Sequence, residues 1–451
     1  MKYAVFALAA IGTFPLAIVL SVNRRWVQYT FLGIVVAMCF YQQTAINFFS
    51  NESYHGSARG MEVSLIYLLA FAILLALAIG GKARGCFSDG GVKLYVVYFL
   101  LCMPSLAVAD DLLISWLEIW KMLMLFLFYS AVRCYLRATD DVKAVVKALA
   151  IFTIMNALFT AKAHYSGVYQ PGGVFPHRNG MAMGMLLLGP VFFAGYISSG
   201  LLSRRGRLCA VAFVGAVIAT FWSYSRGAMA MVPVAYGMTA LAMMFERKGT
   251  VRKLGRMLPL AVAAVIGFLA MLPRIIERFT EAPEASGETR VELAQCAYEM
   301  IKDKPWTGVG INNWSLNLEP THPYQDMASQ VVGRELNYTG IVETVYLLVC
   351  AECGIPALLA MLAWFAWHWL LSVRLLKRLR GTEWYFVAAG LLGGLTANYA
   401  QSVLEWVLRQ QLNLICLMFV FAVLSYLHAD WHPPKVTAKE EKPDGQPERI
   451  D

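Results

Sequence analysis

Long apolar runs alternate with short polar connectors along most of the chain. They lie near 3–22, 27–45, 61–80, 93–109, 112–132, 143–163, 179–198, 208–224, 227–245, 257–273, 340–371, 384–404 and 410–428. A helix needs about 20 apolar residues to cross a bilayer. The pattern therefore predicts an all-α polytopic membrane protein with about 12 to 13 transmembrane helices. Pro15 interrupts the first run, which leaves a full crossing and a re-entrant hairpin both open. One connector is far longer than the rest, from Arg274 to Thr339. In it, "ETRVELAQCAYEMIKDKPW" sets Val291, Leu293, Ala294, Ala297, Tyr298 and Ile301 at the spacing of an amphipathic helix. A glycine-rich turn, "TGVGINNW", follows, and then a polar, irregular stretch, "THPYQDMASQVVGRELNYTG". Loops of this length are usually functional or disordered, and the periodicity and tryptophans here favour function. The chain thus divides into N-terminal transmembrane helices (1–273), a large partly helical loop (274–339), C-terminal transmembrane helices (340–428) and a Pro-rich, charged tail (429–451). The tail is expected to be disordered in the cytoplasm.

Composition agrees with this reading. Hydrophobic residues make up 59% of the 451-residue chain and charged ones 15%, against roughly a quarter charged in soluble domains. Mean hydropathy is +0.56. The net charge of +9 does not point to nucleic acid, because Lys and Arg gather in alternate connectors: Arg24-Arg25, Lys82 and Arg84, Arg133 and Arg137, Arg204 to Arg207, Arg247 to Arg256, and Arg374 to Arg380. This is the positive-inside pattern, which puts those connectors in the cytoplasm. The opposite, outer face then carries 46–60, Asp110-Asp111, 164–178, Ser225-Arg226, 274–339 and the connector at Glu405. Most of the nine cysteines fall in apolar runs, including Cys350 and Cys353 of "CAEC", and read as core packing. There is no Walker-type loop, Rossmann fingerprint or zinc-spacing motif, so neither ATP, a metal nor another cofactor is expected to drive the chemistry.

Ionisable residues at or near membrane depth are costly and are candidates for function. The outer set is His177-Arg178, Arg226, Arg290, His322, Arg334, Glu343, Glu405 and Arg409. Arginine matches phosphate oxygens through a planar, permanently charged fork. Several arginines on one face point to an anionic, phosphate-bearing, lipid-linked substrate. Plainer readings exist for each. Arg226 fits a side chain snorkelling at a helix end. Arg290 fits an exposed pair with Glu288 or Glu292. Asn179 fits an N-cap. Glu352, between two cysteines and Gly354, fits a carboxylate paired with a cation or a helix end.

Four segments, in order and all on the predicted outer face, resemble the bacterial O-antigen ligase / O-antigen polymerase family of membrane glycosyltransferases. They are "GVFPHRNGMA", "SYSRGAMA", "TRVELAQCAYEMIKDKPWTGVGINNW" and "VETVYLLVCAECGIPALL". The resemblance implies a GT-C-like membrane enzyme in the bacterial inner (cytoplasmic) membrane, with its active site facing the periplasm. It implies a polyprenyl-diphosphate-linked glycan as donor and a glycan, lipid or protein as acceptor. It carries over Arg226 and Arg290 as ligands of the donor diphosphate, with His177, Arg178, Asn179 and Arg334 as further binding candidates. One departure stands out. The family often has His-Asn just before its Tyr-Leu pair, and here Glu343 and Thr344 stand there. The acid–base role then falls to Glu343 or to His322 from the loop. With arginines in place of an ion, the transfer is expected to need no metal.

Two other classes fit a many-span chain: a transporter or flippase of an anionic lipid-linked substrate, and an assembly subunit that docks through the large loop. An enzyme gathers Arg226, Arg290 and Glu343 at one end, whereas a transporter carries polar residues on through the midplane. Polymerase and ligase share the motifs and are not separated by them.

Overall fold

The computed structural model describes residues 2–81, 89–246, 249–280, 284–318, 324 and 340–431. A helix occupies each of the thirteen apolar runs. In chain order the helices are α1 (Lys2–Val22), α2 (Arg24–Cys39), the single turn α3 (Tyr41–Thr44), α4 (Leu65–Ile79), α5 (Gly90–Cys102), α6 (Leu112–Tyr135) and α7 (Thr139–Tyr165). Then come α8 (Arg178–Ser199), α9 (Arg204–Trp222), α10 (Arg226–Met244), α11 (Thr250–Thr280) and α12 (Glu284–Asp303). The last three are α13 (Val345–Arg378), α14 (Tyr385–Gln401) and α15 (Gln411–Ala429). Among the described residues, nine helices are long and apolar enough to cross a membrane. Helices α2, α4 and α14, at 16, 15 and 17 residues, are shorter than a perpendicular crossing. The protein is an all-α polytopic membrane protein.

Pro15 does not break α1, which is one continuous helix packed against α4 and α2. A hairpin was not legible in the 46–60 connector, yet the chain pairs Ile46–Phe48 with Met61–Val63 in an antiparallel ribbon, with Ile46 opposite Val63. The apolar surface is arranged for lipid. Leu8, Ile11 and Ile18 of α1, Val211 and Val214 of α9 and Leu241 of α10 stand exposed.

Helix α8 is almost wholly buried and packs against α9, α10, α14 and α15. Glycines set these spacings. A methyl group on Gly390 would lie 2.3 Å from Val191 Cα, and one on Gly394 would lie 2.3 Å from the Leu187 carbonyl oxygen. Small residues let α14 approach the α8 backbone this closely, which is how helices associate where no hydrophobic force separates them from lipid.

The Lys/Arg-rich connectors meet at one end of the bundle. Arg133 pairs with Asp430 at 2.6 Å, Arg205 with Glu383 at 3.1 Å, and Arg24 with Asp141. Arg256 and Arg378 donate to the carbonyl ends of neighbouring helices, at Ser198 and Trp431, where cations are favoured. The connectors poor in Lys and Arg meet at the other end. Two-sided segregation of this kind is what the charge pattern predicts.

Helix α13 is broken at Gly354, whose φ is 82°, and Pro356 follows. Proline cannot donate to the Glu352 carbonyl, and the break takes the Ile355 N–H away from Ala351. The segment Pro305–Gly310 repairs both losses. Val309 N–H donates to Ala351 O (2.9 Å), Gly310 N–H to Glu352 O (3.1 Å), and Ile355 N–H to Pro305 O (2.8 Å). This is the structural task of the "TGVG" turn: irregular backbone at this depth must find internal partners. Adding a methyl at Gly354 would place it 2.5 Å from Trp306 backbone atoms. Gly354→Ala is therefore expected to destabilise the protein by about 3 kcal/mol through strain and overlap. A fall in melting temperature in detergent checks this, and an unchanged one contradicts the repair.

The rest of "INNW" locks the turn to the bundle. Asn312, at φ 59°, donates to Ala58 O and Ile114 O and accepts from Ala58 N–H. Asn313 donates to Ser115 Oγ and accepts from Asp111 N–H. Helix α12 rests on this platform with Leu293, Cys296, Ala297 and Met300 inward. Its buried stripe differs from the expected one, because Val291 and Tyr298 are exposed. The spacing i, i+3, i+4, i+7 starts at Leu293, not at Val291. Helix α11 continues past 273 to Thr280. Most of the stretch 319–339 and the tail 432–451 lie outside the described residues.

Candidate functional site

Two helices begin at the end of the bundle opposite the basic connectors, and each begins with arginine. Ser225 caps α10 and accepts from Ala228 N–H at 3.5 Å, so Arg226 is its first helical residue. His177 caps α8, its Nδ1 accepting from Asn179 N–H at 3.3 Å, so Arg178 is first there. Burial, with the Arg178 charge second, holds the His177 pKa below its usual value, which suits an acceptor cap. Neither helix has an acidic residue in its first turn. A cation at a helix N-terminus opposes the macrodipole, at a cost of about 0.3–1 kcal/mol. The macrodipole does not favour either placement, and a helix N-terminus is where anions bind.

Arg226 is half-buried and makes no hydrogen bond or ion pair with the described residues. The turn that presents it is strained. Tyr224 has φ 52°, held by a Ser225 N–H bond to Ser223 Oγ and by stacking on Tyr169 at 5.1 Å. Non-glycine residues adopt such angles rarely, mostly where function sets the geometry.

Glu405 sits between these helix ends, in the connector after α14, and is buried. Asn179 Nδ2 donates to both its carboxylate oxygens, at 2.8 and 2.9 Å. Asn179 is thus not the N-cap that its position suggested; it is inside the helix and aimed at Glu405. A methyl on Gly227 would lie 3.9 Å from Glu405 Oε1, so the first turn of α10 faces the same group. Burial, with the Glu343 charge second, raises the Glu405 pKa to about 7, against the opposing effects of Asn179, Arg290 and Arg178. A carboxyl group poised near neutrality is suited to taking or giving a proton.

Glu343 precedes α13 and is half-exposed, outside the apolar run in which the sequence set it. It forms an ion pair with Arg290 of α12. Arg290 therefore reaches across to the segment that leads into α13. Thr344 Oγ1 and Val345 N–H both donate to Ser402 O, which ties the Glu343 segment to the Glu405 turn. Below lies a floor of buried amides. Both polar atoms of the Gln401 side chain, Gln410 Oε1 and Asn413 Oδ1 have no hydrogen-bond partner among the described residues. Buried polar groups are normally satisfied, so a floor of this kind is open to a polar ligand. Gly180 makes room for it: a methyl there would lie 2.5 Å from Gln410 Oε1. Deeper along α8 the side chains are apolar, with Met185, Leu186, Leu187 and Leu188 fully buried.

A second charged group lies beside the site. Arg409 pairs with Glu118 (3.0 Å) and Glu352, and Lys121 pairs with Glu118 (2.7 Å), all four side chains buried. Glu352 thus meets the cation that its setting called for. The two acids and two bases balance, and the cluster pins the turn Val407–Arg409 between α6 and α13. Glu118 and Lys121 were missed, although two charges three residues apart in an apolar run were there to be seen. Among the described residues, seven cysteines, Cys350 and Cys353 included, are buried free thiols, and Cys134 is disulfide-bonded.

Of the residues singled out in the sequence, the structure brings together His177, Arg178, Asn179, Arg226, Arg290, Glu343 and Glu405. His322 and Arg334 lie outside the described residues. Residues 211–362 match the family model described as O-Antigen ligase. The matched segment holds Arg226, Arg290, Glu343 and the Gly308–Gly310 turn, and it supports assignment to the O-antigen ligase/polymerase family and a function of that general type. His177 to Asn179 and Glu405 fall on either side of it. No curated protein matches the sequence.

Proposed function

We propose that the protein transfers or polymerises polyprenyl-diphosphate-linked glycans at the outer face of the cytoplasmic membrane. The reading rests on one observation above all: Arg178 and Arg226, each the first residue of its helix, and Arg290, in the second turn of α12, lie about the turn that holds the buried Glu405 carboxyl group. In this proposal Arg226 and Arg290 hold the donor diphosphate, with Arg178 beside them. Glu343 neutralises Arg290 while no donor is bound and yields its place to the phosphate oxygens. Glu405 takes the acid–base role that the sequence left to Glu343 or His322, because no ion pair with a described residue occupies it and its pKa is near 7.

The steps balance as follows. An acceptor hydroxyl oxygen attacks the anomeric carbon of the donor glycan, and its proton passes to the Glu405 carboxylate. The bond from that carbon to the diphosphate oxygen breaks, and polyprenyl diphosphate leaves with the electron pair. Its growing negative charge meets fixed guanidinium groups and two helix N-termini, which is preorganised electrostatic stabilisation. The glycosyl–diphosphate bond supplies the driving force. We propose that helix α12, which carries Arg290, faces the periplasm.

The deciding experiment incubates the purified full-length protein with a polyprenyl-diphosphate oligosaccharide and candidate glycan, lipid or protein acceptors. The expected result is acceptor-dependent release of free polyprenyl diphosphate that persists in excess chelator. Movement of intact donor across a vesicle membrane without bond cleavage would identify a flippase instead. Loss of release on chelation would sink the metal-independent step.

A further inference from the structure

At the basic end of the bundle, remote from Arg226, helices α7, α9 and the approach to α14 enclose a cleft of ≈ 670 Å³. Its inner wall is apolar, built from Val146 and Ala150 of α7, Leu208 of α9 and Phe386 of α14. Its rim is basic, with Lys143, Lys147, Arg204 and Arg205. The volume is within the usual range of ligand pockets.

The charges at the rim do not cancel. Glu383, the acid in the lining, pairs with Arg205 at 3.1 Å and Lys143 at 3.9 Å. Lys143 is further engaged by Asp140 at 3.2 Å. Arg205 is also fixed over the Phe386 ring and bonded to Ser199. Lys147 and Arg204 are exposed and make no hydrogen bond or ion pair with the described residues. Two spare cations therefore stand at the mouth of an apolar cleft, at the level where helices end and lipid headgroups begin. Basic pockets between transmembrane helices at this level select acidic headgroups.

We propose that this cleft is a binding site for one anionic glycerophospholipid. Its phosphate is held between Lys147 and Arg204, and an acyl chain lies along Val146, Ala150 and Leu208. A zwitterionic lipid would bring a second cation against four basic side chains. A free phosphate gains nothing from the apolar wall. The bound lipid bridges α7, α9 and α14, the helices that surround the buried α8, and the proposal does not depend on the chemistry at the other end.

The test is a melting curve of the delipidated full-length protein in detergent, titrated with dioleoylphosphatidylglycerol, dioleoylphosphatidylcholine or inorganic phosphate. Phosphatidylglycerol is expected to raise the melting temperature saturably, and the other two are not. The double variant Lys147→Ala/Arg204→Ala should melt like the wild type without lipid but need about thirtyfold more phosphatidylglycerol. Leu208→Trp, which fills the cleft and keeps the rim, should abolish the shift. An equal shift with phosphatidylcholine would reduce the cleft to an apolar groove. A shift with phosphate alone would make it a small-anion site. A double variant that titrates like the wild type would also overturn the proposal.

Discussion

Replacing Arg226 with alanine is expected to lower glycan transfer about 10²–10³-fold, the usual effect of removing one preorganised donor from a developing anion, with no loss of stability. Both halves of that expectation come from the same geometry. The guanidinium is half-buried at the first residue of α10 and bonds to none of the described residues. Truncation therefore breaks no hydrogen bond or ion pair with a described residue and recovers the small cost of a cation at a positive helix end. Ser225 still caps the helix. Arg226→Lys keeps the charge but not the planar fork that grips two phosphate oxygens, so it should recover only part of the rate. Arg290→Ala is a less clean probe, because it also releases Glu343 from its ion pair. The measurements are the initial rate of polyprenyl diphosphate release and the melting temperature of each variant. A folded Arg226→Ala protein with wild-type turnover would remove the diphosphate role from this residue.

The fold was legible where physics is local. Apolar run length placed thirteen of the fifteen described helices, and the alternation of Lys and Arg sorted their ends. The candidate site was legible as a set of residues, since arginines on the outer face are not accounted for by the positive-inside pattern. Its connections were not legible, because each depends on contacts between distant segments. Nothing near Asn179 in sequence says that it donates to Glu405, 226 residues away. Nothing near Arg290 in sequence announces Glu343 as its partner. The broken helix is the clearest case. Gly354 and Pro356 in the sequence mark a weak point in α13, and "TGVG" marks a turn. Only the structure joins the two as donor and acceptor. The buried amides Gln401, Gln410 and Asn413 read as ordinary helix residues until their unpaired atoms are found together beneath Glu405.

Glu405→Gln is expected to lower transfer by about 10²–10⁴-fold, the range for loss of a general base, and to erase the acidic limb of the pH–rate profile. In the wild type the carboxylate is the active form, and with a pKa of about 7 kcat/KM should rise with pH and level off above neutrality. Neighbouring groups should move that limb in opposite directions. Glu343→Gln removes a negative charge that raises the pKa, so the limb shifts to lower pH. Asn179→Ala removes a hydrogen bond that favours the carboxylate, so the limb shifts to higher pH. Stability provides an independent sign. A carboxyl group whose pKa is raised in the folded state contributes stability below its unfolded value. That contribution is lost as the pH climbs through about 7. Above neutrality, therefore, Glu405→Gln should melt higher than the wild type although it is nearly inactive. Gains in stability at the expense of function are characteristic of groups kept for chemistry. A glutamine variant that is active, or one that is inactive and also less stable above pH 7, would return Glu405 to a structural role. The base would then have to be Glu343 or His322.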